Sequence, residues 1–158
     1  MRNYDLITPE GTKDLLFGEC IIRRDIENTL LDLFKSRGYC EMITPGLEFF
    51  DVFNLNSQYF PQENLYKLTD SKGRLLVMRP DSTMPIARVV ATRLRDAVLP
   101  LKLCYNQPVY STEPALKGRS DEIVQAGIEL IGSQLKMADL EVISTAADSL
   151  KSFGMEFS

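Results

Sequence analysis

The chain has 158 residues, 44% hydrophobic and 25% charged, with a net charge of −4 from 18 basic and 22 acidic side chains. That balance builds one ordinary globular domain and argues against a basic face for nucleic acid. It holds no histidine, so imidazole serves neither as base nor as metal ligand within the chain.

No apolar stretch is long enough for a membrane helix, and the opening residues lack the apolar core of a secretory signal. Three cysteines, Cys20, Cys40 and Cys104, are scattered without a C-x-x-C pair, so neither a zinc site nor a disulfide framework is expected. Cys40 and Cys104 fall in predicted strands and read as small buried hydrophobes. The expected location is the cytoplasm. There is no repeat, low-complexity tract or linker.

From Phe17 to Arg37 the residues Phe17, Ile21, Ile22, Ile26, Leu30, Leu33 and Phe34 recur at helical spacing, and Gly38 supplies a stop. A strand over Tyr39 to Thr44 follows, ended by Pro45-Gly46. Leu65 to Thr69 and Arg74 to Met78 read as strands joined by the turn Asp70-Ser71-Lys72-Gly73. A second helix starts at Ser82 or Thr83 with Pro85 in its first turn and runs to about Asp96. Pro100 precedes a long strand, Leu101 to Tyr110, and Glu122 to Gly132 form another. A third helix spans about Met137 to Phe153, closed by Gly154, and Met155 to Ser158 look like the start of a further strand. This order fits an α+β domain built on an antiparallel sheet, incomplete at its C-terminal end.

Three segments carry possible chemistry. In Val124-Gln125-Ala126-Gly127-Ile128-Glu129-Leu130, strand alternation sets an apolar face against one bearing Gln125, Gly127 and Glu129. A glycine between an amide and a carboxylate leaves a floor that a ligand's ammonium group can approach. The same pattern also reads as a solvated face with an incidental glycine. In Arg79-Pro80-Asp81-Ser82-Thr83, Asp81 sits at a strand-to-helix junction; capping is the expected role of Ser82, while Asp81 and Thr83 fit either capping or ligand contact. In the polar loop from Glu113 to Glu122, Lys117 and Arg119 flank Gly118 and offer an anion contact, which Asp121 and Glu122 oppose.

Taken in order, these segments resemble the histidyl-tRNA synthetases and their paralogues, class II aminoacyl-tRNA synthetase-like proteins. Ile7-Thr8-Pro9-Glu10-Gly11-Thr12-Lys13-Asp14 resembles their opening loop. Tyr39 to Pro45 looks like motif 1, whose proline lies at the dimer interface. Arg79-Pro80-Asp81-Ser82-Thr83 resembles the Arg-Pro-Glu-x-Thr segment, and Tyr110 to Glu113, Gly118-Arg119 and Gln125 to Glu129 follow motif 2 and the amino-acid-binding strand. The match runs from about Ile7 to Gly132.

The resemblance implies histidine-binding roles for Asp81, Thr83, Gln125 and Glu129, with the carboxylates and amide receiving the α-ammonium group. It departs where ATP is handled. Ser111 and Asp121 stand where the synthetases place two arginines, and neither serine nor aspartate replaces a bidentate guanidinium. A retained amino-acid pocket without ATP chemistry resembles the regulatory subunits of ATP phosphoribosyltransferase. That resemblance implies no catalytic residues, no cofactor and no metal. It implies a short-form catalytic subunit as partner, a homodimer, and histidine as feedback ligand in histidine biosynthesis. The chain, residues 1–158, would be the N-terminal part of such a domain, with motifs 1 and 2 present and motif 3 lying beyond Ser158. The alternatives are a fragment of a divergent histidyl-tRNA synthetase, which activates histidine with ATP, and a dimeric scaffold with an empty pocket.

Overall fold

The computed structural model describes residues 4–54, 58–112 and 120–155. Helix α1 (Gly18–Ser36) is followed by β1 (Cys40–Glu41), β2 (Leu47–Phe49) and the short α2 (Phe50–Asn54). Then come β3 (Lys67–Thr69), β4 (Leu75–Met78), α3 (Thr83–Thr92), β5 (Leu101–Tyr110), β6 (Glu122–Ile131) and α4 (Lys136–Lys151). The architecture is the expected α+β, divided among the described residues into two three-stranded sheets, ordered β1-β5-β6 and β2-β4-β3. All pairings are antiparallel except β1 with β5.

Local chemistry explains the boundaries. Helix α1 ends where Gly38, at φ 82°, donates to the Lys35 carbonyl while Tyr39 donates to that of Phe34, a glycine-closed terminus that satisfies the last carbonyls. Gly154 ends α4 in the same way, with Met155 donating to Leu150. In the β3–β4 turn the Asp70 carboxylate accepts from the backbone of Lys72 and Arg74, each at 2.9 Å, as short acidic side chains do in turns.

Among the described residues three small apolar clusters form the core: Phe34, Tyr39 and Cys104; Phe53, Leu65 and Val77; Ile86, Leu103 and Tyr105. Between them sits a buried polar knot. Arg79, at the end of β4, is 3% exposed and donates to the carbonyls of Pro108 at 2.7 Å, Thr44 at 2.6 Å and Pro45 at 3.1 Å. Its backbone pairs with Gly46 and Tyr110. One side chain thus ties β4 to β5 and to the segment after β1. Desolvation pulls its pKa below the usual arginine value, yet the carbonyl acceptors hold the ion in place. In α3, Arg88 makes a two-pronged contact with the buried Glu48 carboxylate of β2, at 2.9 and 2.5 Å.

Some expectations are corrected. The strand predicted over Tyr39 to Thr44 shortens to Cys40–Glu41, because Thr44 leaves the ladder to bond Gln107 and Arg79. Cys40 is exposed and only Cys104 is buried. Helix α3 ends at Thr92, short of Asp96. In α1 the apolar stripe buries only its C-terminal end: Phe34 is 4% exposed, whereas Phe17, Ile21 and Ile22 are 86%, 64% and 63% exposed. The strand start expected at Met155 to Ser158 lies, apart from Met155, outside the described residues.

Candidate functional site

The β5–β6 register builds the site. It sets Tyr105 opposite Gly127, Gln107 opposite Gln125, and Leu103 opposite Glu129, so these side chains share one sheet face. The junction between β4 and α3 hangs over that face. The Asp81 carboxylate accepts the backbone N–H of Thr83 at 2.7 Å and of Met84 at 3.3 Å. Asp81 is therefore the residue that caps α3 with its side chain. Ser82, expected in that role, makes no side-chain cap; its hydroxyl is buried without a hydrogen-bond partner among the described residues.

Both elements then interlock. Ser82 donates its backbone N–H to Gln125 Oε1 at 3.1 Å, and Gln125 Nε2 reaches the second oxygen of Asp81 at 3.4 Å. The Thr83 hydroxyl donates to Glu129 Oε1 at 2.8 Å. Asp81, Thr83, Gln125 and Glu129, from two stretches distant in sequence, form a single cluster of two carboxylates, an amide and a hydroxyl. Arg119, the expected anion contact, lies outside the described residues.

Gly127 leaves no empty floor. A Cβ there would stand 2.5 Å from the Tyr105 hydroxyl and 2.7 Å from Cζ, so the glycine makes room for the tyrosine ring instead. Tyr105 is the residue that sequence reasoning missed; the signal for it was its register opposite Gly127, which no single strand reveals. Its phenol is pushed up to about 12 by burial and by the neighbouring Glu129 and Asp81 carboxylates, while the Thr83 hydroxyl pulls the other way. It remains a neutral hydrogen-bond donor at neutral pH.

Burial raises the Glu129 carboxyl above its ordinary value and Asp81 adds to the rise, while the Thr83 hydrogen bond opposes it. A carboxylate held in this way gains when a cation arrives, since the cation offsets desolvation and repulsion together. The cluster's chemistry therefore suits an ammonium group, with the amide of Gln125 adding a neutral acceptor.

A family model described as histidyl-tRNA synthetase matches residues 11–157. The chain belongs to the histidyl-tRNA synthetase family. Within the family it is 47% identical over 156 residues to a Clostridium kluyveri protein named ATP phosphoribosyltransferase regulatory subunit, covering 99% of this chain and 40% of that protein. A protein of the same name from Clostridium acetobutylicum is also 47% identical over 156 residues, covering 99% of this chain and 38% of that one. Among solved structures, a Bacillus halodurans protein described as ATP phosphoribosyltransferase regulatory subunit/histidyl-tRNA synthetase superposes with a TM-score of 0.88 at 33% identity. That superposition covers 99% of this chain and 40% of the other. Apo histidyl-tRNA synthetase from S. aureus gives 0.80 at 27% identity, covering 96% of this chain and 35% of that one. The chain thus spans 40% and 38% of the length of the two curated relatives named here.

Ser111 and Asp121, where the sequence reading expects the synthetases' arginines to be replaced, come together. The Ser111 backbone N–H donates to the Asp121 carbonyl at 2.9 Å, across the open end of the β5–β6 pair. The side chains at these two positions are a hydroxyl and a carboxylate. Among the described residues no helix is long and apolar enough to cross a membrane.

Proposed function

We propose that the chain is the histidine-binding, non-catalytic part of an ATP phosphoribosyltransferase regulatory subunit, in the cytoplasm and without an activity of its own. The observation that carries the reading is the cluster of Asp81, Thr83, Gln125 and Glu129, retained beside Ser111 and Asp121, which cannot clamp a nucleotide phosphate. In this reading Asp81, Gln125 and Glu129 receive the α-ammonium group of histidine, and Thr83 and Tyr105 orient them. The names of the curated relatives support a short-form catalytic subunit as partner. The chain would correspond to the portion of the domain that carries motifs 1 and 2.

A homodimer is part of the same proposal. The exposed apolar residues at the front of α1, with Ile43 77% exposed beside motif 1, give a second copy an apolar surface to cover.

The test is phosphoribosyl transfer by a short-form catalytic subunit, with and without this protein and with and without L-histidine. The reading expects transfer to depend on the protein and to fall when histidine is added. Transfer indifferent to the protein, together with ATP–pyrophosphate exchange by the protein itself, would overturn it in favour of a histidyl-tRNA synthetase.

A further inference from the structure

Helix α4 is fastened to the rest of the molecule largely by polar contacts. Arg37, just past the end of α1, donates to the hydroxyls of Ser144 at 2.9 Å and of the fully buried Thr145 at 2.8 Å, and pairs with Asp148. Lys102 of β5 pairs with Glu141 at 2.6 Å. The outward face of the helix carries Leu140, Ile143 and Leu150, which are 56%, 65% and 44% exposed, with Ala147 between the last two. A surface helix normally turns such residues toward its own core. Among the described residues nothing covers this strip.

The spacing of the strip points to its occupant. Leu140, Ile143, Ala147 and Leu150 follow one another at intervals of three, four and three, the spacing of a seam that packs along a second helix. The seam is symmetric about Thr145. Two copies of α4 laid antiparallel, with a two-fold axis at that level, set Leu140 of one copy against Leu150 of the other and Ile143 against Ala147. Met137 and Phe153, both exposed, fall level with one another and lengthen the apolar strip at each end. Charge selects the same direction. Antiparallel copies bring Asp139 level with Lys151, across the seam, and set the positive N-terminal end of each helix beside the negative C-terminal end of the other. A parallel pair would instead bring Asp139 level with Asp139 and Lys151 level with Lys151.

We propose that the outward face of α4 binds a second copy of this chain, with the two helices antiparallel. The contact is isologous, since each copy offers the same strip and receives the same strip. It is separate from the surface at the front of α1 and Ile43, and it stands whether or not the acid–amide cluster takes histidine. A chain with two such faces assembles as a pair of pairs.

Sedimentation velocity of wild type, Leu140→Glu, Leu150→Lys and an equimolar mixture of the two variants tests this. In either variant alone a charge lies against leucine of the other copy, so self-association is expected to weaken at least about tenfold and the mass of the assembly to halve. In the mixture the introduced carboxylate and ammonium face each other, while the second layer keeps Leu150 against Leu140, and the wild-type mass is expected to return. Ile43→Glu disables the other surface and is expected to leave two copies joined through α4, which keeps the test decisive if the α4 variants do not fold. A single copy of wild type or of Ile43→Glu would overturn the proposal. Variants that keep the wild-type mass would overturn it, and a mixture that stays at half mass would overturn the antiparallel arrangement. A variant that keeps its mass but no longer binds a short-form catalytic subunit would overturn it by giving the face to that subunit. A variant that keeps its mass but melts at lower temperature would overturn it by showing that the face is covered within its own chain.

Discussion

Replacing Gly127 by alanine tests the packing that shapes the site. The new methyl would lie 2.5 Å from the Tyr105 hydroxyl oxygen, 2.7 Å from Cζ and 3.1 Å from Cε1. Comfortable contact needs about 3.5 to 4.0 Å, so the ring must retreat by roughly 1 Å. It has little room, since Tyr105 is 5% exposed and clusters with Ile86 and Leu103. Overpacking of this kind costs about 1 to 3 kcal/mol, and alanine recovers about 0.5 to 1 kcal/mol of strand propensity over glycine. The net expectation is a loss of up to about 2.5 kcal/mol, a fall in Tm of up to roughly 10 °C for a chain of this size. Thermal denaturation followed by circular dichroism measures it. Adding Tyr105→Phe removes the contact at 2.5 Å but not those at 2.7 and 3.1 Å, so it should restore only part of the loss. A Gly127→Ala protein more stable than wild type would refute the reasoning.

Three further outcomes are expected. Burial places the Glu129 carboxyl above its usual value in the folded state, so its contribution to stability is present at low pH and is lost as pH rises through that raised value. Glu129→Gln should therefore be more stable than wild type at neutral pH, with the advantage shrinking on acidification in parallel melts; a less stable variant at pH 7 contradicts the sign. Wild-type affinity for an amine ligand should fall on acidification at a pH above the ordinary carboxylate range, visible in titrations across pH, and a flat profile down to pH 4.5 would count against Glu129. Arg88→Met strands the buried Glu48 carboxylate and should cost roughly 3 to 5 kcal/mol in urea melts, whereas a loss below about 1 kcal/mol would show that water reaches Glu48.

Much of the fold was legible because single-strand and single-helix signals are local. Pro100 preceded a long strand whose expected bounds, Leu101 to Tyr110, match β5 to the residue, and Gly38 and Gly154 marked the ends of α1 and α4. The run from Leu47 to Asn54 hid β2 and α2, because three phenylalanines among Leu, Glu, Asp and Val show neither a period of two nor one of 3.6. Cys40 misled because the strand that holds it is two residues long and leaves it exposed. At the site, Asp81, Thr83, Gln125 and Glu129 were named from family pattern, and the register brought them together. Tyr105 and the tie between Tyr66 and Asp121 were invisible because both depend on which residues face each other across strands and loops distant in sequence.

The central claim is that the acid–amide cluster holds the ammonium group of an amino acid. Titration calorimetry of L-histidine into wild type and Glu129→Gln tests it most directly. The account predicts saturable binding to wild type that weakens roughly 10- to 100-fold in the variant, the loss expected when a charge-assisted hydrogen bond worth about 1.5 to 3 kcal/mol is made neutral. Equal affinity for the two proteins, or no binding to wild type, would contradict it.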